Sequence, residues 1–429
     1  MISYHDGELH VDGVPVRALA RAAGTPLFVY SAELMLARLA RLRSAFAALD
    51  PRVRYAVKAN SNASLMRLLH RAGAGFDLVS GGELLRALRI GADPADLVFA
   101  GVGKQDWEIQ LALEHGIGML NVESESELDR VRFLAHAGGH ATRLALRVNP
   151  DVAVETHPYI TTALEKSKFG VDLATAARLV EVIAADARLS LVAYHVHLGS
   201  SLLDAAPYVE ACRRVLEFVD DDPRRAEGVR FYDLGGGFGS CGPFDAELLD
   251  VGALAEGLGD LLRPRGISVL LEPGRFLVGD AGVLVTRVVH EKTGVAKDFC
   301  VVDAAMNDLI RPALYGAEHP IQPVVESQGT RPRPVDVVGP VCESADFLGQ
   351  ARDLPPLGRG DLLAVFSAGA YCASMASNYN SRPLAAGVLC GDGPPRLIQR
   401  RQPIEELWRD EVDEGLDLSG PGGDPQRQP

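Results

Sequence analysis

Eight short apolar runs recur between residues 53 and 272, separated by stretches with helical spacing. This rhythm narrows the possible folds more than any other feature of the chain. The strand candidates are 53–57, 76–79, 97–100, 118–122, 143–148, 191–198, 229–234 and 268–272, with helical patterns such as 65–72, 83–90, 125–137 and 205–219 between them. Eight such units over roughly 220 residues suit a (β/α)8 barrel, which typically needs about 250. A doubly wound sheet is the competing arrangement. The barrel is preferred because polar and glycine residues cluster just after the strands all around the count, as they do where strand ends converge on one face.

The rhythm is bounded on both sides. Ahead of it, Ile2 to Tyr4 and Leu9 to Val11 flank Asp6-Gly7 as a hairpin, and Asp12-Gly13-Val14 turns into a helix over 16–23. After residue 280, the stretches 283–290, 299–303, 335–338 and 362–366 read as strands with no long helix between them. The expected organisation is therefore a (β/α)8 barrel with a C-terminal all-β domain. The divisions are 1–25 as an N-terminal segment joining the β-domain, 26–278 as the barrel, 279–412 as the β-domain, and 413–429 as a disordered tail rich in Gly, Pro and Asp. Residues 325–334 read as an exposed loop.

Several partner classes are disfavoured. A formal net charge of -14 argues against nucleic acid or an anionic membrane surface, both of which select basic proteins. No run approaches the ~18 apolar residues of a membrane span, and Met1 to Asp6 has neither the basic nor the apolar part of a signal peptide. Six cysteines, at 212, 241, 300, 342, 372 and 390, form no CxxC pair and no zinc spacing, which fits a reducing cytoplasm.

In a barrel the chemistry sits at the strand ends. The first strand delivers Lys58, where burial should depress the amine toward the neutral form that condenses with an aldehyde; an edge lysine facing solvent is the plain alternative. The sixth delivers His195 and His197, two apart and so on one strand face. One ring could stack on a planar ligand, or the two could be ordinary buried histidines. A zinc site would need more ligands than His-x-His, and the sequence places no third candidate nearby. The seventh ends in Gly235-Gly236-Gly237-Phe238-Gly239, whose bare backbone suits a phosphate at the barrel's usual phosphate position. The eighth ends in Glu272-Pro273-Gly274-Arg275, and a carboxylate there is costly to bury unless paired, for example with a pyridine nitrogen. Lysine, phosphate loop, stacking ring and buried carboxylate are together the parts that hold pyridoxal phosphate.

From Gly24-Thr25-Pro26-Leu27-Phe28-Val29-Tyr30 to about residue 388 the chain resembles the fold-type III pyridoxal-phosphate decarboxylases, which have the alanine racemase-like architecture. Within them it is similar to the diaminopimelate decarboxylase branch. The resemblance runs through Tyr55-Ala56-Val57-Lys58-Ala59-Asn60, Asp77-Leu78-Val79-Ser80-Gly81-Gly82-Glu83, Asn121-Val122-Glu123-Ser124-Glu125 and Arg147-Val148-Asn149-Pro150. It continues through Thr156-His157-Pro158-Tyr159-Ile160, Lys168-Phe169-Gly170 and His197-Leu198-Gly199-Ser200. Most specific are Arg311-Pro312-Ala313-Leu314-Tyr315, Gly339-Pro340-Val341-Cys342-Glu343-Ser344 and Gly369-Ala370-Tyr371.

The resemblance implies pyridoxal 5'-phosphate as cofactor, with Lys58 carrying it as a Schiff base and His197 stacking on its ring. Ser200, Gly235, Gly236, Gly237 and the backbone of Gly274 and Arg275 would hold the phosphate, and Glu272 the pyridine nitrogen. Arg275, Arg311 and Tyr315 would grip the substrate, and Tyr371 would touch cofactor and substrate. Cys342 as proton donor and Glu343 as substrate ligand would reach in from the second subunit of a homodimer. Without the resemblance, the plain reading of Arg311 is a salt bridge to Asp303 or Asp308. The implied reaction is decarboxylation of meso-2,6-diaminoheptanedioate at its D centre to L-lysine and carbon dioxide, the last step of lysine biosynthesis, with no metal. The alternative is a paralogue acting on a related diamino or D-amino acid. Leu198, Phe276, Ala163, Leu384 and Gly387 depart from the family's usual residues, the last two where arginine and glutamate are expected.

Overall fold

A computed structural model describes residues 1–152, 168–239, 248–327 and 331–414. Its centre is a closed barrel of eight parallel strands: Arg52–Ala56, Gly75–Leu78, Leu97–Phe99, Met119–Val122, Thr142–Arg147, Leu189–His195, Phe231–Asp233 and Ser268–Leu271. Pairing of Leu270 with Arg52 and of Leu271 with Val53 closes the ring. All eight expected strands are present, each within about two or three residues of its expected ends. Phe76 and Leu78 pack outward into the main core under the helices, so Asp77 between them points the other way. Val98, Met119, Ala145, Ala193 and Leu270 form a separate apolar cluster that fills the barrel interior. Above that filling the interior changes character. Asp77, Asn121, Arg147, His195, Asp233 and Glu272 are all buried.

The helices begin where the sequence offers a cap. Ser80 Oγ accepts from Glu83 N–H at 3.2 Å, and Ser124 Oγ accepts from Glu127 N–H at 3.2 Å. Glu83 and Glu127 reach back to accept from the N–H groups of Val79 and Glu123, at 2.8 and 2.7 Å. Two of the stretches that carry the family resemblance are thus, locally, helix-starting devices that fix the turn after a barrel strand.

The second body is a nine-stranded sheet among the described residues, in which Gly282–Lys292 pairs with Asp298–Val302, Leu362–Val365 and Leu27–Ser31. Ala386–Cys390 pairs in parallel with Leu27–Ser31. The strand Leu27–Ser31 therefore lies beyond the expected boundary at residue 26 yet belongs to this sheet. Its five residues are all buried, a continuous apolar run that reads the same whether it lies in a sheet or under a barrel. Ile2–His5 and Glu8–Val11 form the expected hairpin around Asp6 and Gly7, both at positive φ, and Val16–Ala23 is the expected helix. Leu9, Val11, Val16 and Leu19 pack with Leu27, Val29, Val283 and Val285, which joins this segment to the sheet.

The expected loop over 325–334 ends early. Arg333–Val338 is a strand paired between Asp298–Val302 and Phe347–Leu354, and Arg333 at its start is held by Glu291 at 2.8 Å and Asp298 at 3.0 Å. The tail from 415 lies outside the described residues, as do Thr156 to Ile160, Ala163 and Cys241. Among the described residues, no helix is long and apolar enough to cross a membrane.

Candidate active site

Lys58 follows the first barrel strand in a short 3-10 turn, Val57–Ala59, rather than ending the strand itself. Its Nζ lies 3.1 Å from Asp77 Oδ2, on the neighbouring strand. Burial alone would pull the ammonium down, as the sequence implies. Asp77, Tyr371 and Glu272 outweigh burial and hold it above its ordinary range. Before cofactor binds, Lys58 is therefore a stabilised cation, and Asp77 is where its charge rests. Asp77 itself is pushed up to about 7, by burial first and then by Glu272, with Lys58 pulling the other way.

The ends of the sixth, seventh and eighth barrel strands bring together groups that lie far apart in sequence. His195 Nε2 stands 3.3 Å from Glu272 Oε2, without hydrogen-bond alignment. One donor atom each from His195, Asp233 and Glu272 lie within 4.8 Å of one another. The expectation that His-x-His has no third ligand candidate nearby is thus corrected: pairing of adjacent parallel strands, invisible in the sequence, supplies two carboxylates. Burial and then Glu272 drive the Asp233 carboxyl up, so it retains its proton. Burial also opposes charge on Glu272, but His195, Lys58 and Asp233 bring it down to about 2. Two carboxylates this close oppose each other's ionisation, which raises Asp233, while the cations beside Glu272 favour its anion.

His195 and His197 do not share a strand face, because the strand ends at His195. His197 lies in the following loop, half-buried, and both rings still line the same cavity. Gly236 N–H donates to His197 Nδ1 at 3.2 Å, so Nδ1 carries no proton. Burial, Arg147 and Lys58 depress this imidazole well below its ordinary value, consistent with a neutral ring.

The glycines are required by contact. Gly235 and Gly237 have φ of +66° and +84°. A Cβ on Gly236 would stand 2.3 Å from the carbonyl oxygen of Glu272, and one on Gly237 would stand 2.0 Å from that of Gly199. Each glycine lets one strand-end loop lie directly on the next, which closes a small recess of about 50 Å³ walled by Ser200, Gly236, Gly237, Gly274 and Arg275.

Beside the recess opens a cavity of about 570 Å³. Arg275 Cζ sits 4.9 Å from the Tyr371 ring centre, and Arg311 Cζ lies 5.9 Å from the same ring and 5.5 Å from that of Tyr315. Both guanidinium Nε atoms are buried and unpartnered. Burial and then Arg275 lower the Arg311 guanidinium, as expected for a cation short of a counter-ion. The salt bridge of Arg311 to Asp303 or Asp308 does not form. Asp303 instead accepts from Thr25, Thr286 and Arg287, and Asp308 accepts from the Ala305 backbone. Tyr371 adopts φ of +58° with its N–H on Ala59 O at 2.8 Å, strain that aims its side chain at the site.

Of the expected residues, Lys58, His197, Ser200, Gly236, Gly237, Glu272, Gly274, Arg275, Arg311, Tyr315 and Tyr371 line the recess or the cavity. Gly235 supports the loop from beneath, its carbonyl accepting from Glu272 N–H at 2.7 Å. Cys342 and Glu343 are the exceptions. They are exposed on the sheet body, where Asn380 accepts from Cys342 N–H at 2.9 Å and Tyr379 donates to Glu343. Asp77, Asp233 and Arg147 were not singled out for roles in the sequence. Arg147 forms a buried pair with Glu123 at 2.8 Å, and its guanidinium lies 4.6 Å from the Phe169 ring centre. Buried charge at the C-terminal end of an apolar strand was the available signal, and it marks all three. Among the departing residues, Phe276 packs edge-on against Phe238 at 6.2 Å, in the core. Leu198 is buried, and Leu384 and Gly387 line a different cavity.

The buried oxygens Asp77 Oδ1, Asp233 Oδ2 and Glu272 Oε1 lack partners, as do both His195 nitrogens, while a glycine-walled recess lies beside them. A heteroaromatic ring with a basic nitrogen and a phosphate arm matches this set. Fold and site together define a pyridoxal-phosphate enzyme of the barrel-plus-sheet class.

The comparisons agree with that class. The pyridoxal-binding domain of the pyridoxal-dependent decarboxylases matches residues 33–279. Diaminopimelate decarboxylase of Neisseria meningitidis serogroup A is 46% identical over 406 residues, 94% of this chain and 99% of that one. The Aquifex aeolicus diaminopimelate decarboxylase is 43% identical over 413 residues, covering 96% of this chain and 97% of its own. The crystal structure of diaminopimelate decarboxylase from Helicobacter pylori complexed with L-lysine superposes with a TM-score of 0.87. It is 38% identical and covers 92% of this chain and 98% of that one. The chain belongs to the pyridoxal-dependent decarboxylases, in the diaminopimelate decarboxylase family. It is a pyridoxal-phosphate-dependent amino-acid decarboxylase.

Proposed function

We propose that the chain decarboxylates meso-2,6-diaminoheptanedioate to L-lysine and carbon dioxide, as the last step of lysine biosynthesis. The observation that carries this choice of substrate is the pair Arg275 and Arg311, two guanidiniums over one tyrosine ring with buried, unpartnered Nε–H groups. A substrate with a second carboxylate, far from the reacting carbon, supplies their missing counter-ion. Ornithine and lysine have no such group.

Bound pyridoxal phosphate supplies the sink for the electron pair released when carbon dioxide leaves. Lys58 holds the cofactor through its amine. Asp77, 3.1 Å away, orients that amine. Glu272, kept anionic by His195 and by proton-bearing Asp233, fixes a proton on the ring nitrogen. The neutral face of His197 would cover the ring. Ser200, Gly235, Gly236, Gly237 and the backbone of Gly274 and Arg275 would hold the phosphate, with Tyr371 reaching cofactor and substrate. The side chains of Arg275 and Arg311, with Tyr315, orient the distal carboxylate, and Glu343 receives the distal ammonium. Cys342 delivers a proton to the carbon that has lost its carboxylate.

The last two roles require a second copy of the chain, because Cys342 and Glu343 face outward from the sheet rather than into the cavity their own chain builds. The working unit in this reading is a homodimer with shared sites. A cytoplasmic setting fits the five described cysteines, all of them free. The test is carbon dioxide release from meso-diaminopimelate and from L-ornithine, measured side by side. Turnover of the first with little of the second is expected. Equal turnover would remove the distal-carboxylate argument.

A further inference from the structure

A second cavity, of about 500 Å³, lies between the barrel and the sheet on the far side of the Lys58 turn. Its wall includes Asn60 and Ser61, just after Lys58, and Ser374, just after Tyr371. Ser374 Oγ donates to Ala59 O at 3.1 Å, so the two segments are tied together at the cavity's edge. Its chemistry differs from that of the surface around it. The exposed Arg67 and Arg86 line it together with Ser61, Ser64 and Gln399, and among the described residues no aspartate or glutamate does, in a chain whose net charge is -14. Arg86 Nη1 donates to Ser61 O at 3.3 Å, and Arg67 makes no hydrogen bond or ion pair among the described residues.

The opposite wall is apolar, formed by Phe28, Leu384, Ala385 and Ile398. Gly387 also lines it, with unexceptional backbone. A Cβ there would first meet Gln399 Cβ at 3.2 Å and then Tyr30 Cε2 at 3.6 Å. The glycine is therefore not demanded by a turn, but it lets the Gln399 strand lie close. Leu384 and Gly387 are the two positions where the resemblance implies an arginine and a glutamate, so the acid is missing from the wall of the cavity that Arg67 and Arg86 line.

We propose that this cavity is a binding site for a small organic carboxylate, held by Arg67 and Arg86 with its carbon body against Leu384 and Ile398. Charge-assisted hydrogen bonds to two arginines fit that group, and the apolar wall fits a short chain better than it fits an inorganic ion.

Succinate and glutarate binding to the holoenzyme tests this by calorimetry at moderate salt. One carboxylate per chain is expected to bind, and Arg67→Ala is expected to weaken binding about tenfold or more. Gly387→Glu, which adds a carboxylate to the wall of the same cavity, is expected to abolish binding while cofactor content and turnover stay at wild-type levels. Arg311→Ala, in the catalytic cavity, is expected to leave it intact. No binding of either probe overturns the proposal. So does binding that survives Arg67→Ala and Gly387→Glu but disappears with Arg311→Ala, since that places the anion in the catalytic cavity.

Discussion

At the scale of single residues, the sequence put Lys58 at the mouth of the first barrel strand, where the fold has it, but misjudged its charge state. A strand-end lysine was visible; the carboxylate of Asp77 beside it was not, because it comes from the neighbouring strand. Reduction of the purified protein with borohydride followed by peptide mapping should place the pyridoxyl group on Lys58. An adduct on Lys104 or Lys168 would contradict the assignment. Arg311 was legible only through the resemblance, since nearby aspartates offered it a salt bridge that the fold gives to other partners. Arg311→Lys should retain cofactor yet lose roughly 1.5–3 kcal/mol of substrate binding, tenfold or more in kcat/KM with meso-diaminopimelate, because a point charge cannot reproduce a planar fork. Wild-type kinetics would refute that role. His319, buried near these arginines, donates its Nδ1–H to Phe366 O at 2.9 Å. It is held down to about 4 by burial first, with Arg311, Arg275 and Arg352 adding to the effect. Between pH 6.5 and 4 the unfolded chain takes up a proton that the folded chain refuses, so stability falls as pH falls through that window, by at most roughly 3 kcal/mol. The thermal midpoint of His319→Gln should therefore drop less steeply than that of wild type between those pH values, and parallel slopes would exclude the histidine as the source.

At the scale of elements, the strands were legible because each is a short apolar run followed by its chemistry, the signature of a barrel. What was not legible is adjacency around the ring. His195, Asp233 and Glu272 are far apart in sequence and meet only because parallel pairing sets Leu189–His195, Phe231–Asp233 and Ser268–Leu271 side by side. The loop conformation after His195 was also hidden, since Val196-His197-Leu198 continues the alternation of the strand while the backbone leaves it. The glycine run was legible as a loop, but its reason is the loop stacked upon it. Gly236→Ala should be costly despite the small side chain, with its Cβ 2.3 Å from the Glu272 carbonyl. Displacing that backbone is expected to cost on the order of 1–3 kcal/mol and to loosen the cofactor. Absorbance of bound cofactor after gel filtration checks this. Full retention in Gly236→Ala would show that the loop can yield.

At the scale of the whole molecule, the two bodies were legible from the change of rhythm near residue 280. The return of Leu27–Ser31 into the second sheet was not, because a buried five-residue strand carries no mark of which sheet it joins. Cys342 and Glu343 are exposed, so the roles proposed for them call for a second copy of the chain. Mixing Lys58→Ala with Cys342→Ala chains under exchange should restore about a quarter of wild-type activity by site counting in a two-fold assembly with shared sites. No recovery after demonstrated exchange would mean that each chain completes its own site. The reaction of the whole assembly is read from its products. Holoenzyme is incubated with meso-diaminopimelate, released carbon dioxide is counted, and the amino-acid product is resolved by chiral chromatography. The account predicts one carbon dioxide per lysine formed and L-lysine as the product. Substrate consumed without carbon dioxide, interconverting stereoisomers instead, would contradict it.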